Sequence, residues 1–221
     1  MLMKLDYIWL DGHDPKNIRS KVKFEYWEQE DENRPYTQEE LLSKIPQWGF
    51  DGSSTGQAQT ESSDCILNPV VTYTNPFDGG NSLVVLCEVL NPDGTPHETN
   101  TRSKLASALE EYGNDMVFGI EQEYVIYDNK TGKPVGWKDE EPKPQGEYYC
   151  SVGSDKNAGR VLVDNHSIMC HRAGLSLSGT NAEVMLGQWE YQIGPLYGME
   201  CADQLWVSRN LLQKQAEMLN G

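Results

Sequence analysis

Four glutamates stand inside two short runs that otherwise read as β-strands. Glu121 and Glu123 lie in Gly-Ile-Glu-Gln-Glu-Tyr (119–124), Glu183 and Glu190 in Asn-Ala-Glu-Val-Met-Leu-Gly-Gln-Trp-Glu-Tyr-Gln (181–192). Side chains two residues apart on a strand point to one face. Glu121 and Glu123 therefore share a face, with Val117 and Val125 at its ends. Phe118, Ile120, Gln122, Tyr124 and Ile126 form the opposite face, mostly suited to a core. Neighbouring carboxylates repel unless water or a cation lies between them. A fold for this chain must therefore bring these charges to a place where something offsets them.

The second run reads as a hairpin. With Leu186-Gly187 as a two-residue loop, Met185 pairs with Gln188, Glu183 lies opposite Glu190, and Asn181 opposite Gln192. Leu-Gly is a weaker turn signal than Asn-Gly, and like charges directly opposite in a ladder are destabilising. A slip of two residues would leave the acids on the same face. One such glutamate reads as a solvated edge acid. Four, flanked by Ile120, Tyr124, Trp189 and Tyr191, read as ligands of a divalent ion, because hard cations take several carboxylate oxygens. No cluster of His or Cys accompanies them, which favours magnesium or manganese over zinc.

The rest of the composition narrows the function classes. A chain of 221 residues with 38% hydrophobic side chains has room for a core, in one large or two small domains. Its formal charge of −16 argues against nucleic-acid binding and against electrostatic attachment to anionic membranes. No run approaches a membrane span, and Met-Leu-Met-Lys-Leu-Asp at the start lacks the apolar stretch of a targeting peptide. The five cysteines are irregularly spaced and form no CxxC pair, which fits a reducing cytoplasm. His13, His97, His166 and His171 show no ligand spacing and read as surface or packing residues.

Punctuation by Gly, Pro and Asn predicts strands at Leu5–Leu10, Ser20–Tyr26, Cys65–Thr74 and Ser82–Leu90, with a turn at 91–94. Glu28–Glu40 reads as a charged loop. A helix over Lys104–Tyr112, capped within Thr99–Thr101 and stopped by Gly113, places a domain boundary near 98–100, giving domains 1–98 and 99–221. Beyond it come a strand (Val117–Tyr127), a Gly/Pro-rich loop (128–147), a helix (Asp155–Ala173), the hairpin, and an amphipathic helix (Ala202–Leu219). This order suggests an α+β sheet domain with helices on one face.

Asp-Gly-Ser-Ser-Thr-Gly-Gln-Ala (51–58), Pro-Gln-Gly-Glu-Tyr-Tyr-Cys (144–150), the 119–124 run and Asn181 through Pro195 together resemble glutamine synthetase of the type II, eukaryotic-like class. The motifs occur in the family's order and span nearly the whole chain. The resemblance implies an N-terminal β-grasp domain followed by the first part of an α+β catalytic domain. It implies an ATP-dependent glutamate–ammonia ligase that works through γ-glutamyl phosphate. It also implies a homo-oligomer of stacked rings with sites between subunits.

Carried over by position, Glu123, Glu183 and Glu190 are expected to hold a first Mg2+ or Mn2+, and Glu121 to be a ligand of a second. Glu190, Tyr191, Gln192, Ile193, Gly194 and Pro195 match the nucleotide-contacting segment. Asp51 matches the residue that binds ammonium across the subunit interface, with Ser54 nearby. Their alternative reading, from composition alone, is a polar turn.

Three positions depart from the family pattern. Val117 stands where many relatives carry an aromatic, Leu186 replaces a proline of the hairpin turn, and Glu147 replaces a proline. Family members also continue beyond the equivalent of Gly221, with a histidine that binds the second metal and arginines that grip phosphate. On this reading the chain alone is expected to be inactive. The alternative is a catalytically dead short paralogue or fragment that acts as an assembly or interaction subunit.

Overall fold

The computed structural model describes residues 1–28, 35–138, 145 and 147–220. They form two compact units, Met1–Asn114 and Asp115–Gly221.

The first unit is built on a five-stranded sheet. Its strands are β1 (Leu2–Leu10), β2 (Ile18–Tyr26), β3 (Trp48–Asp51), β4 (Asp64–Thr74) and β5 (Ser82–Leu90), in spatial order β2-β1-β5-β4-β3. The neighbouring interior strands β1 and β5 run parallel and every other pair is antiparallel. Alternate residues of β1 (Met3, Leu5, Tyr7, Trp9) enter one core with Leu67, Val85 and Val89, as period-two burial requires.

Helix α1 (Gln38–Lys44) packs on β4 and brings Leu41 and Ile45 to that core. Its start falls inside the stretch expected to be a loop. Thr37 and Glu40 form a reciprocal capping box there, and this local signal outweighs the surrounding charge. Residues 29–34 of that expected loop lie outside the described residues. The sheet curls so far that Lys21 on edge strand β2 donates to the Gly49 carbonyl on the opposite edge, 2.9 Å away, with its ammonium over the Trp48 ring. Helix α2 (Thr101–Tyr112) follows, capped by Asn100 and ended at Gly113.

The second unit has a three-stranded antiparallel sheet of order β6-β10-β9, from β6 (Val117–Val125), β9 (Leu177–Ala182) and β10 (Gln188–Tyr197). A short ribbon, β7 (Tyr127–Asp128) with β8 (Lys133–Pro134), lies within the expected 128–147 loop. Helix α3 (Arg160–Ala173) starts later than expected, because Gly159 at φ 88° is outside helical geometry. Helix α4 spans Gly198–Asn220.

Both helices cover one face of the sheet. Leu205 and Cys201 of α4 meet Tyr191 and Ile193, and Val163 of α3 meets Ala182 and Trp189. The structure is α+β, as the sequence suggests, with the β-grasp sheet first. Among the described residues no helix is long and apolar enough to cross a membrane.

Candidate metal centre

Strand β10 is central, so each of its outward residues meets a neighbour on both sides. Glu190 lies opposite Glu123 of β6 and opposite Asn181 of β9. Glu183 follows β9, and its N–H donates to the Gln188 carbonyl at 3.0 Å. The expected pairing of Glu183 with Glu190, and of Asn181 with Gln192, is therefore wrong by two residues. Glu183 faces Gln188, and Gln192 faces Gly179.

The turn explains the shift. Gln188 N–H donates to the Met185 carbonyl at 3.0 Å, with Gly187 at φ 88°. That arrangement puts the positive φ on the second central residue, which suits Leu-Gly. A two-residue primed hairpin needs it on the first, where Leu fits poorly. Because the slip is two, the acids keep their common face.

Glu123, Glu183 and Glu190 each bring a carboxylate oxygen within 4.8 Å of the others. Glu183 and Glu190 are each only 7% exposed, while Glu123 is open to solvent. Among the described residues no cationic side chain pairs with them. Burial pushes the Glu183 carboxyl up; the Val184 N–H opposes this, and the charges of Glu123 and Glu190 add to it. The relief present is neutral. Gln188 Nε2 donates to Glu123 Oε2 at 2.7 Å, and Asn181 Nδ2 to Glu183 Oε1 at 3.1 Å. Gln192 Nε2 donates to Glu190 Oε1 and, at 3.0 Å, to Asn181 Oδ1.

Partly buried carboxylates that converge without a cation suit a hard divalent ion, so the donor set fits Mg2+ or Mn2+. The segment 148–151 docks beside them through Cys150 N–H to the Ala182 carbonyl at 2.9 Å. The neighbouring Cys150 thiol, and then the charge of Glu183, push the Tyr149 hydroxyl up. Pro144 and Gly146 of the same motif lie outside the described residues.

Glu121 is on the same strand face but is not one of the three that converge. It lines a cavity of about 560 Å3 with Gly119, Ser178, Gln192, Ile193, Gly194 and Pro195. Tyr191 points the other way. It is fully buried under the helices, with its hydroxyl 2.8 Å from Ser208 Oγ.

In the first unit, Asp51 ends β3 and caps a short 3-10 turn over Gly52–Thr55. Its Oδ1 accepts from Ser53 N–H at 2.9 Å and Ser53 Oγ at 2.6 Å, and Ser54 Oγ lies 3.4 Å from Oδ2. The Ser53 hydrogen bonds hold this exposed carboxyl below its usual range, so it stays ionised. A buried network anchors the loop. His97 Nε2 donates to the Gln57 carbonyl at 2.6 Å, while Gln57 Nε2 donates to Thr99 Oγ1 and Thr55 Oγ1 contacts Gln57 Oε1. With the Thr99 N–H pointing at Nδ1, the imidazole is the Nε2–H tautomer.

Sequence reasoning gave Asn181, Gln188 and Gln192 no role as hydrogen-bond partners of the glutamates, although the signal for all three is present. Asn181 keeps strand parity with Glu183, and Gln188 and Gln192 keep it with Glu190, so acids and amides share one face.

The chain is similar to known proteins along nearly its whole length. Residues 1–92 match the family model described as glutamine synthetase, β-grasp domain. A glutamine synthetase of Streptomyces viridochromogenes is 48% identical over 220 residues, covering 98% of this chain and 61% of that protein. One from Yarrowia lipolytica is 45% identical, covering 96% and 55%. A chloroplastic glutamine synthetase of Chlamydomonas reinhardtii is 43% identical, covering 97% and 57%. The chain thus spans about three fifths of the length of the curated relatives it matches.

Proposed function

Because this chain carries the β-grasp domain of the glutamine synthetase family and is homologous to glutamine synthetases along 98% of its length, we propose that it serves ATP-dependent joining of ammonia to glutamate through a γ-glutamyl phosphate. The observation that carries the reading is the convergence of Glu123, Glu183 and Glu190 within 4.8 Å on the face of the sheet opposite the helices. These three would hold one Mg2+ or Mn2+, and Glu121 would contribute to a second. Such ions, when bound, neutralise charge on the oxygens of phosphoryl transfer.

The chain's own groups do the rest. Gln192, Gly194 and Pro195 form, with Glu121, a cavity wall available to a nucleotide. Tyr191 supports that strand from behind, through Ser208. Asp51, ionised and exposed, would accept an N–H of ammonium and take a proton from it, so that the ammonia formed can attack the γ-glutamyl carbonyl and displace phosphate, with Ser54 beside it. We assign the chain to the type II class, and its assembly to stacked rings with sites between neighbouring copies.

In the second unit, Arg160 lies over Trp189 and Arg209 donates to Gln122 at 2.6 Å, so both guanidiniums are on the helix side of the sheet. Arg172 belongs to α3 on the same side. Phosphoryl transfer depends on positioned charge at the phosphates. We therefore expect these 221 residues alone to give no γ-glutamyl hydroxamate. ATP-dependent product from the purified chain would overturn that expectation. Calorimetric titration with Mn2+ should show one saturable site that Glu183→Ala abolishes; unchanged binding would reject the ligand assignment.

A further inference from the structure

Each of the three carboxylates accepts from a different side-chain amide: Glu123 from Gln188, Glu183 from Asn181 and Glu190 from Gln192. A carboxylate only accepts, so the amides can point only their N–H groups at it. Asn181 then has its carbonyl left over, and Gln192 donates to that as well. Gln192, Asn181 and Glu183 thus form a relay that fixes Glu183, although that residue lies beyond the end of β9.

The strand backbone is shaped for this relay. Gly179 pairs with Gln192, and a Cβ on it would come 2.6 Å from Gln192 Oε1. The glycine leaves the room in which the Gln192 side chain lies. The bonds also divide the work of each carboxylate. Gln188 occupies Oε2 of Glu123 and Gln192 occupies Oε1 of Glu190, which leaves one oxygen of each for the cluster. On Glu183, Asn181 takes Oε1 and the Val184 N–H takes Oε2 at 3.1 Å.

We propose that Asn181, Gln188 and Gln192 are positioning residues that orient the three glutamates, leave Glu123 and Glu190 one unengaged oxygen each, and thereby set the site's preference for Mg2+ or Mn2+ over Ca2+. The inference rests on the metal reading above. Two-oxygen chelation needs both oxygens of a carboxylate turned to the ion, and an amide bonded to one of them takes up one of its lone pairs and fixes its direction, which disfavours that mode. Carboxylates that each offer one oxygen leave room for a near-octahedral shell at about 2.0–2.1 Å, whereas Ca2+ gathers about 6–8 oxygens at longer distance, often with two-oxygen carboxylates.

The test is calorimetric titration of the 221-residue chain with Mn2+ and, separately, with Ca2+, for the unaltered chain and for Gln188→Met, Gln192→Met and Gly179→Ala, each checked for folding by circular dichroism. Methionine keeps the length of glutamine without its N–H groups. Gly179→Ala keeps Gln192 but displaces its amide. Each variant is expected to weaken Mn2+ binding by about 10–100-fold, as loss of a ligand-orienting partner does, and Ca2+ binding by much less. The Mn2+ to Ca2+ affinity ratio should then fall at least about tenfold. Unchanged Mn2+ affinity, or an equal loss for both ions, would overturn the proposal while leaving the metal site standing. An unaltered chain that binds no Mn2+ would overturn the metal reading itself, and this inference with it.

Discussion

The two faces of the β6-β10-β9 sheet use the same strands and reach opposite electrostatic outcomes. On the helix side, Tyr191, His166 and Trp189 are buried, neutral and hydrogen-bonded, while the Tyr124 hydroxyl is buried without a hydrogen-bond partner among the described residues. Tyr191 bonds Ser208, His166 Nε2 donates to the Ser208 carbonyl at 3.0 Å, and Trp189 Nε1 donates to the Ala158 carbonyl at 2.7 Å. On the other side, two residues buried almost as deeply are carboxylates, and their neighbours are amides and a further carboxylate. Alternation along a strand lets one segment carry a finished core and an unfinished charge site without either disturbing the other. The first face contributes stability. The second is a local cost that a bound cation would offset.

The comparison can be broken from either face. Trp189→Ala attacks the finished one: a fully buried large side chain and a hydrogen bond are lost, so denaturant unfolding should show about 3–5 kcal/mol of destabilisation. Next comes pH. Burial lowers the His166 pKa from 6.5 to about 4, so the folded state resists a proton that the unfolded chain takes up. The stability tied to neutral His166 is complete above the unfolded value and falls as pH drops toward the folded one, by on the order of 3 kcal/mol. The difference in unfolding free energy between the chain and His166→Gln, measured across that window, should show this slope and flatten above it.

Tyr191→Phe removes only the bond to Ser208. It should cost about 1 kcal/mol and leave Mn2+ affinity unchanged; an altered affinity would show that the faces are coupled. The smallest effect has the opposite sign. Glu183→Gln removes one charge from the trio and should stabilise the ion-free chain by about 0.5–1 kcal/mol, while abolishing the rise in melting temperature that Mn2+ gives the unaltered chain.

The elements of the fold were largely legible because period-two burial and Gly/Pro punctuation follow from local sterics. Strands β1, β2, β4, β5 and β6 lie where alternation puts them, within a few residues. The misses were places where one local geometry decides. The Thr37–Glu40 capping box starts a helix in a charged stretch, Gly159 delays α3, and the positive φ of Gly187 resets the hairpin by two residues. Of the site, the face shared by the glutamates was legible, because parity survives a slip of two. The division into three and one was implied by the family resemblance and not by strand parity. It depends on Glu183 leaving the ladder and turning back toward Glu190 and Glu123, which no strand period encodes.

Strand β10 changes register against β6 between Ile193 and Leu196. Above the break, Glu190 is locked to Glu123 and Gln192 to Glu121; below it, Leu196 and Tyr197 are offset by one against Phe118 and Val117. The irregularity bends the strand at Gly194 and Pro195 and re-aims its Tyr197 end into α4, while the pairing that sets Glu190 against Glu123 keeps its register.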